Sequence, residues 1–145
     1  MATFTKINDF VEDVAEKVHN LASDDLTVAL SVTAPGAEGS NPTEDGNGVL
    51  ANVTEIAYTN LSARVITTAS SAVSSGTYKL TLTDLTLTAS GGAVAAFRYI
   101  YIYNDTATND ELICYYDYGS DLTLADGESL TLDFSAADGV LTLAW

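Results

Sequence analysis

The segment 97–105, FRYIYIYND, limits the folds open to this chain more than any other stretch. Phe97, Tyr99, Tyr101 and Tyr103 occupy every second position, with Ile100 and Ile102 between them. Successive side chains of a strand point to opposite faces, so this strand is apolar or aromatic on both. The chain must lay material over each face or leave one face for another molecule. The tyrosines, each with a rigid apolar body and a polar tip, suit a half-wet surface. Two covers are therefore open for the second face: an element of the chain itself or a partner protein. A third use, stacking on sugar rings, fits aromatic faces less well here, because the only Trp is the last residue.

The internal candidate for a cover lies at the N-terminus. Phe4, Ile7, Phe10, Val11, Val14, Val18 and Leu21 recur at steps of three and four, with Asp9, Glu12, Asp13, Glu16 and Lys17 between them. That spacing predicts an amphipathic helix over 4–21, capped by Thr3 or Thr5 and needing a surface to lie on. The helix either packs on its own sheet or docks on a neighbouring subunit.

From Leu26 the period becomes two: Leu26, Val28, Leu30 and Val32 alternate with Thr27, Ala29 and Ser31. Residues 34–48, APGAEGSNPTEDGNG, contain both prolines and read as an exposed loop. Residues 49–61 fit a short helical turn or an irregular segment. The stretch 64–145 reads as a β-rich body. Within YKLTLTDLTLTAS (78–90) the apolar parity slips at Asp84, which demands a bulge or bend there. A second aromatic strand follows at 112–118, LICYYDY.

Near the C-terminus, pairing Leu124 with Leu130 sets Leu122 opposite Leu132. Pairing Phe134 with Leu141 sets Leu132 opposite Leu143 and Leu130 opposite Trp145. Both registers use one face of Leu130, Leu132 and Phe134 and predict a meander, although strands that cross between sheets would use the same inward residues. Short strands punctuated by Gly and Asp predict a mainly β, antiparallel β-sandwich or jelly roll with one N-terminal amphipathic helix, in a single domain 1–145. A chain of 145 residues is long enough to bury a core without disulfides.

Twenty acids against five bases give a net charge of −15, and residues 99–145 carry nine acids and no Lys or Arg. Such a chain repels phosphate backbones and anionic membranes, so neither nucleic acid nor a membrane is an expected partner. The acidity itself serves solubility, or else calcium binding or attraction to a basic partner. Cys114 is the only cysteine, which excludes an internal disulfide and a cysteine zinc site; within LICYY it reads as a buried thiol. The N-terminus lacks the pattern of a secretory signal, so synthesis in the cytoplasm is expected.

Catalytic chemistry is sparsely supplied. His19 is the only histidine, and its place near the end of the predicted helix suits a structural role. One His and one Cys give no support to a nucleophile–base pair. Paired carboxylates are numerous enough for a glycosidase, yet they fall in turns and strand ends where solvent accounts for them. The loop NPTEDGNG places Asn41, Thr43 and Asp45 ahead of Gly46 like an EF-hand, but the required glutamate position is Asn52. Asp105, Asp110 and Glu111 flank one predicted loop and form a calcium candidate. The expectation is a protein that is not an enzyme and holds no cofactor.

The segments FTKINDFVEDVAEKVHNLASDDLTVALSVTAP, VLANVTEI, FRYIYIYNDTATNDELICYYDYG and DGVLTLAW, in that order, resemble small structural proteins of tailed bacteriophages, over most of the chain apart from residues 36–48. The resemblance implies a virion component with a β-sandwich fold and no catalytic residues to carry over. Combined with the reading above, it implies a capsid decoration or cement protein. Such a protein binds the major capsid protein or other virion proteins, as a homo-oligomer, through Phe4, Ile7, Phe10 and Val14 or through Tyr99, Tyr101, Tyr103 and Tyr116. A tail or neck structural protein is the alternative in the same class, and a carbohydrate-binding module for host attachment is the alternative outside it.

Overall fold

In the computed structural model, which describes residues 2–144, the doubly apolar strand is β7 (Phe97–Asn104), at the centre of the largest sheet. Its neighbours are β2 (Leu26–Ser31) on one side and β8 (Leu112–Leu122) on the other, both antiparallel. The edges are β1 (Thr3–Lys6), beside β8, and the two-residue β3 (Val65–Ile66), beside β2. A three-stranded sheet is built from β4 (Thr68–Ser74), β5 (Thr77–Leu82) and β10 (Leu141–Leu143), in the order β10-β5-β4. The last sheet pairs β6 (Leu85–Thr88) with β9 (Ser129–Leu132). The chain is thus mainly β, with antiparallel sheets that do not close, and its one α-helix, α1 (Phe10–Ala15), is short and N-terminal.

Alternation along β2 and β7 divides the interior in two. Leu26, Val28, Leu30, Ile100 and Ile102 face Leu80, Leu82, Leu87, Leu124 and Phe134 in the main core, so one side of the large sheet packs on the two smaller ones. Ala29, Tyr99, Tyr101 and Tyr103 face the other way, into a second cluster with Ile7 and Leu112. Leu50, Val53 and Tyr115 pack over that cluster.

The predicted helix over 4–21 is corrected by this arrangement. Thr3–Lys6 is a strand paired with β8, and helix occupies only Phe10–Ala15. The step-of-three spacing that suggests a long helix is divided among three destinations. Phe4 lies against Tyr116, Ile7 enters the tyrosine cluster, and Phe10 enters the main core. β-branched Thr3 and Thr5 favour the strand, and Lys17 adopts a left-handed φ of 66°, which ends the helical segment.

The predicted C-terminal meander is corrected too. Leu130 and Leu132 pair with Leu87 and Leu85, and Leu141 and Leu143 pair with Leu80 and Tyr78. The inward face is the anticipated one, but the neighbouring strands come from elsewhere in the chain. The pairing anticipated for Trp145 lies outside the described residues. The parity slip at Asp84 is a change of sheet: β5 ends at Leu82, β6 begins at Leu85, and the Asp84 carboxylate accepts a hydrogen bond from the Phe134 backbone N–H at 3.0 Å.

Residues 34–48 form no regular element, as their composition predicts. They are nevertheless anchored. The Asp9 carboxylate accepts hydrogen bonds from the N–H groups of Gly46 (2.8 Å) and Gly48 (2.7 Å), and Asn8 donates to Asp45 (3.1 Å). Gly48 is required sterically, because a Cβ there would stand 2.9 Å from Asp9 and Ile7 side-chain atoms.

Candidate functional site

The tyrosine face is covered from within. Residues 48–58 form a strap that runs from the start of β8 to the edge of β2. Leu112 N–H donates to the Gly48 carbonyl (2.8 Å) and Leu50 N–H to that of Asp110 (3.1 Å). Further along, Ile56 N–H donates to the Leu30 carbonyl (2.9 Å), and Ser31 Oγ donates to that of Thr54 (2.6 Å). Tyr58 Oη accepts from Leu30 N–H at 3.0 Å and donates to Glu55, while the Arg64 guanidinium lies 3.7 Å from the Tyr58 ring centre. Leu50 and Val53 close the strap over Tyr101, which is 1% exposed and stacks at 5.2 Å on Tyr115. Burial raises the Tyr101 phenol well above its ordinary pKa. The cover on this face is therefore the strap together with Ile7, in place of the N-terminal helix that was the internal candidate.

These positions redistribute the anticipated contact residues. Ile7, Phe10, Tyr99, Tyr101 and Tyr103 are buried, which leaves neither ring faces free for sugars nor side chains free for a partner. Val14 and Tyr116 are half-buried. Phe4 alone of that set is open, at 44% exposure, on the edge strand β1 and edge-to-face with Tyr116 at 5.5 Å.

The titratable groups gather where α1 meets the large sheet. Asn104, fully buried, donates through Nδ2 to Asp24 (2.6 Å) and to His19 Nδ1 (3.0 Å). Because Nδ1 accepts, the neutral His19 ring carries its proton on Nε2, which lies 3.8 Å from Asp13 Oδ2. Among the described residues, neither of those two buried atoms has a hydrogen-bond partner. Burial raises Asp13 to about 6, helped by the charges of Glu111, Asp9, Glu12 and Glu16. Burial lowers His19, against the pull of Glu111 and Asp24. Both ring nitrogens of His19 are turned to this internal cluster. Cys114 is fully buried and its thiol is pushed up by burial, which makes it unreactive.

Of the calcium candidate Asp105, Asp110 and Glu111, the last is engaged locally: Asn109 donates to both Glu111 oxygens, at 3.2 and 2.9 Å. Among the described residues, no group of three or more His, Cys, Asp or Glu side chains is placed to hold a metal ion.

Three grooves in the surface are lined mainly by apolar side chains. Where the large sheet and the smaller sheets part, grooves remain. One of about 210 Å³ lies between Ile100, Tyr116 and Tyr118 on one wall and Leu130, Leu132 and Phe134 on the other. Another, of about 290 Å³, lies between Phe4, Phe10 and Ile113 and the Val140–Leu141 segment. The largest of these three, about 440 Å³, runs between α1 (Val11, Val14) and the row Val73, Tyr78 and Leu143 of the three-stranded sheet. Val73 is 69% exposed and Val11 58%.

Val11, Val73, Tyr78 and Leu143 do not stand out in the sequence as surface features. For Val73 and Tyr78 a signal is present in the charge pattern: residues 56–83 contain no Asp or Glu, in a chain of net charge −15, and include Arg64 and Lys79. No family model, no curated protein and no solved structure matches this chain. No helix among the described residues is long and apolar enough to cross a membrane.

Proposed function

We propose that this chain is a non-enzymatic structural protein of a tailed-bacteriophage virion, a head decoration or cement protein that docks on the assembled shell of the major capsid protein. The sheet arrangement is read as a β-sandwich whose flank is left for a partner to cover. The observation that carries the proposal is the exposed apolar flank on a strongly acidic chain. Phe4 stands out from the free edge of β1, beside the grooves that separate the large sheet from the smaller ones. Exposed apolar surface of this kind marks a place where another protein sits, and an exposed aromatic side chain such as Phe4 is a usual anchor. The acidity supports a protein partner of basic surface and opposes nucleic acid. The sequence resemblance supplies the assembly, with synthesis in the host cytoplasm and residence in the virion.

The test is co-sedimentation of the purified protein with undecorated capsids and, separately, with tails. Binding to capsids that is lost in Phe4→Asp is the expected result. Binding to tails alone moves the protein to a tail or neck role, and binding to neither, with retention on a glycan array, moves it to host attachment.

A further inference from the structure

We propose that two copies of this chain associate through the free edge of β4, joining their three-stranded sheets across a two-fold axis. This goes beyond the virion reading and does not depend on it.

Among the described strands, β4 pairs with β5 alone. The hairpin between them turns on Ser75 and Gly76, both at positive φ (49° and 80°), which is the two-residue turn that suits the strand twist. In such a hairpin the flanking pair, Ser74 and Thr77, exchanges backbone hydrogen bonds. Ser70 and Ala72 then also direct theirs to β5, and Ser71 and Val73 direct theirs outward.

Natural edges are guarded by charge, proline or a bulge. The sequence of β4, TASSAVS, has no charge and no proline, and its register shift lies at the far end, between Thr68 and Ser70. Ser70–Ser74 is a regular, neutral, one-sided strand.

The inner face continues the argument. Val73 and Leu143 both pair with Tyr78, so the three form a row across the sheet that faces Val11 and Val14 over the 440 Å³ groove. A strand added to β4 would extend that row and cover Val73.

Charge selects the occupant. At a net charge of −15, two copies that meet face to face bring carboxylates together almost anywhere. Residues 56–83 lack acids altogether, so neither β4 nor β5 brings a carboxylate of its own into a contact made at this edge. An antiparallel strand pair has its own two-fold axis, so β4 against β4 of a second copy is self-complementary and closes as a dimer.

The test is light scattering over a rising concentration series of the full chain, with hydrogen exchange followed by segment. A monomer–dimer equilibrium is expected, strengthened by salt because like charges are screened. Exchange of residues 70–74 should slow by roughly tenfold or more as dimer fills, while β1 amides stay unchanged. Val73→Lys should weaken dimerisation by roughly tenfold or more and keep the wild-type melting temperature, and Phe4→Asp should leave the dimer intact. A protein that stays monomeric throughout, a dimer indifferent to Val73→Lys, or protection confined to another segment would each overturn the proposal. Since exchange is read on the wild-type protein, the outcome stands even if a variant fails to fold. Loss of capsid binding with an intact dimer would strike the virion reading alone.

Discussion

The tyrosine face of the large sheet and the edge of the three-stranded sheet differ in an instructive way. The first is the most aromatic surface in the chain and is closed. The second is made of Ala, Ser and Val and is open. Tyr101 is fully covered by a strap with backbone hydrogen bonds at both ends, whereas Val73, in the shorter and blander strand, projects into solvent. The lesson is that apolar content sets how strongly a face needs cover, while reach decides whether the chain can supply it. The chain leaves β2, passes through the anchored 34–48 loop, arrives beside β8 and returns as the strap over the tyrosines to β2. For β4 the neighbouring chain has already gone into the hairpin on one side, and among the described residues no strand lies on the other.

The sharpest way to break this comparison is Tyr101→Ala. It should create a cavity on the closed face and cost about 3–5 kcal/mol, measured by denaturant unfolding. A loss no larger than that of a surface substitution would mean the strap does not hold the face shut. Next in size is Asp9→Ala, which removes the acceptor of the Gly46 and Gly48 N–H groups and loosens the lead into the strap. Two hydrogen bonds to a charged group, partly exposed, predict a loss of about 2 kcal/mol and faster proteolysis within 34–48, read by limited digestion. Gly48→Ala should act in the same direction, through collision with Asp9 and Ile7.

A smaller effect concerns pH. Asp13 is raised in the folded state, so the native protein holds that proton more firmly than the unfolded chain does. Its contribution to stability is complete below 3.8 and is lost as pH rises to about 6. His19 is lowered and works in the opposite sense, with stability recovered as pH rises towards its ordinary 6.5. In Asp13→Asn the falling limb between 3.8 and about 6 should vanish and the melting temperature at neutral pH should rise by about 3 °C per kcal/mol recovered. An unchanged pH profile would show that Asp13 is better solvated than its burial implies. Smallest of all, Val73→Ala should alter monomer stability by only about 0.5 kcal/mol. A large loss there would show that the open edge is part of the monomer core.

Much of the architecture was legible in advance. The two-residue period marked β2 and β7, the aromatic run 112–118 marked most of β8, the Gly- and Pro-rich segment marked the loop, and the parity slip at Asp84 marked the bend between two sheets. The inward face of Leu130, Leu132 and Phe134 was readable as well. The partners of those strands were not, because an apolar row is equally content against any other apolar row. The N-terminal spacing misled because strand, turn and helix can each place one of Phe4, Ile7 and Phe10 inward. Of the contact residues expected from the tyrosines, Tyr99, Tyr101 and Tyr103 are interior and Tyr116 is half-buried, since a sequence shows that a face must be covered and not what covers it.

By itself, the sequence determined a mainly β chain with a strand that must be buried on both sides, an acidic surface and a loop without regular structure. These follow from period, charge and turn chemistry, which are local properties. Only the tertiary structure decided that the strap seals the tyrosines, that Phe10 rather than a long helix enters the main core, and that β4 is left as an edge. Those outcomes depend on which distant segments meet, and pairing between distant segments is fixed by the simultaneous fit of all of them.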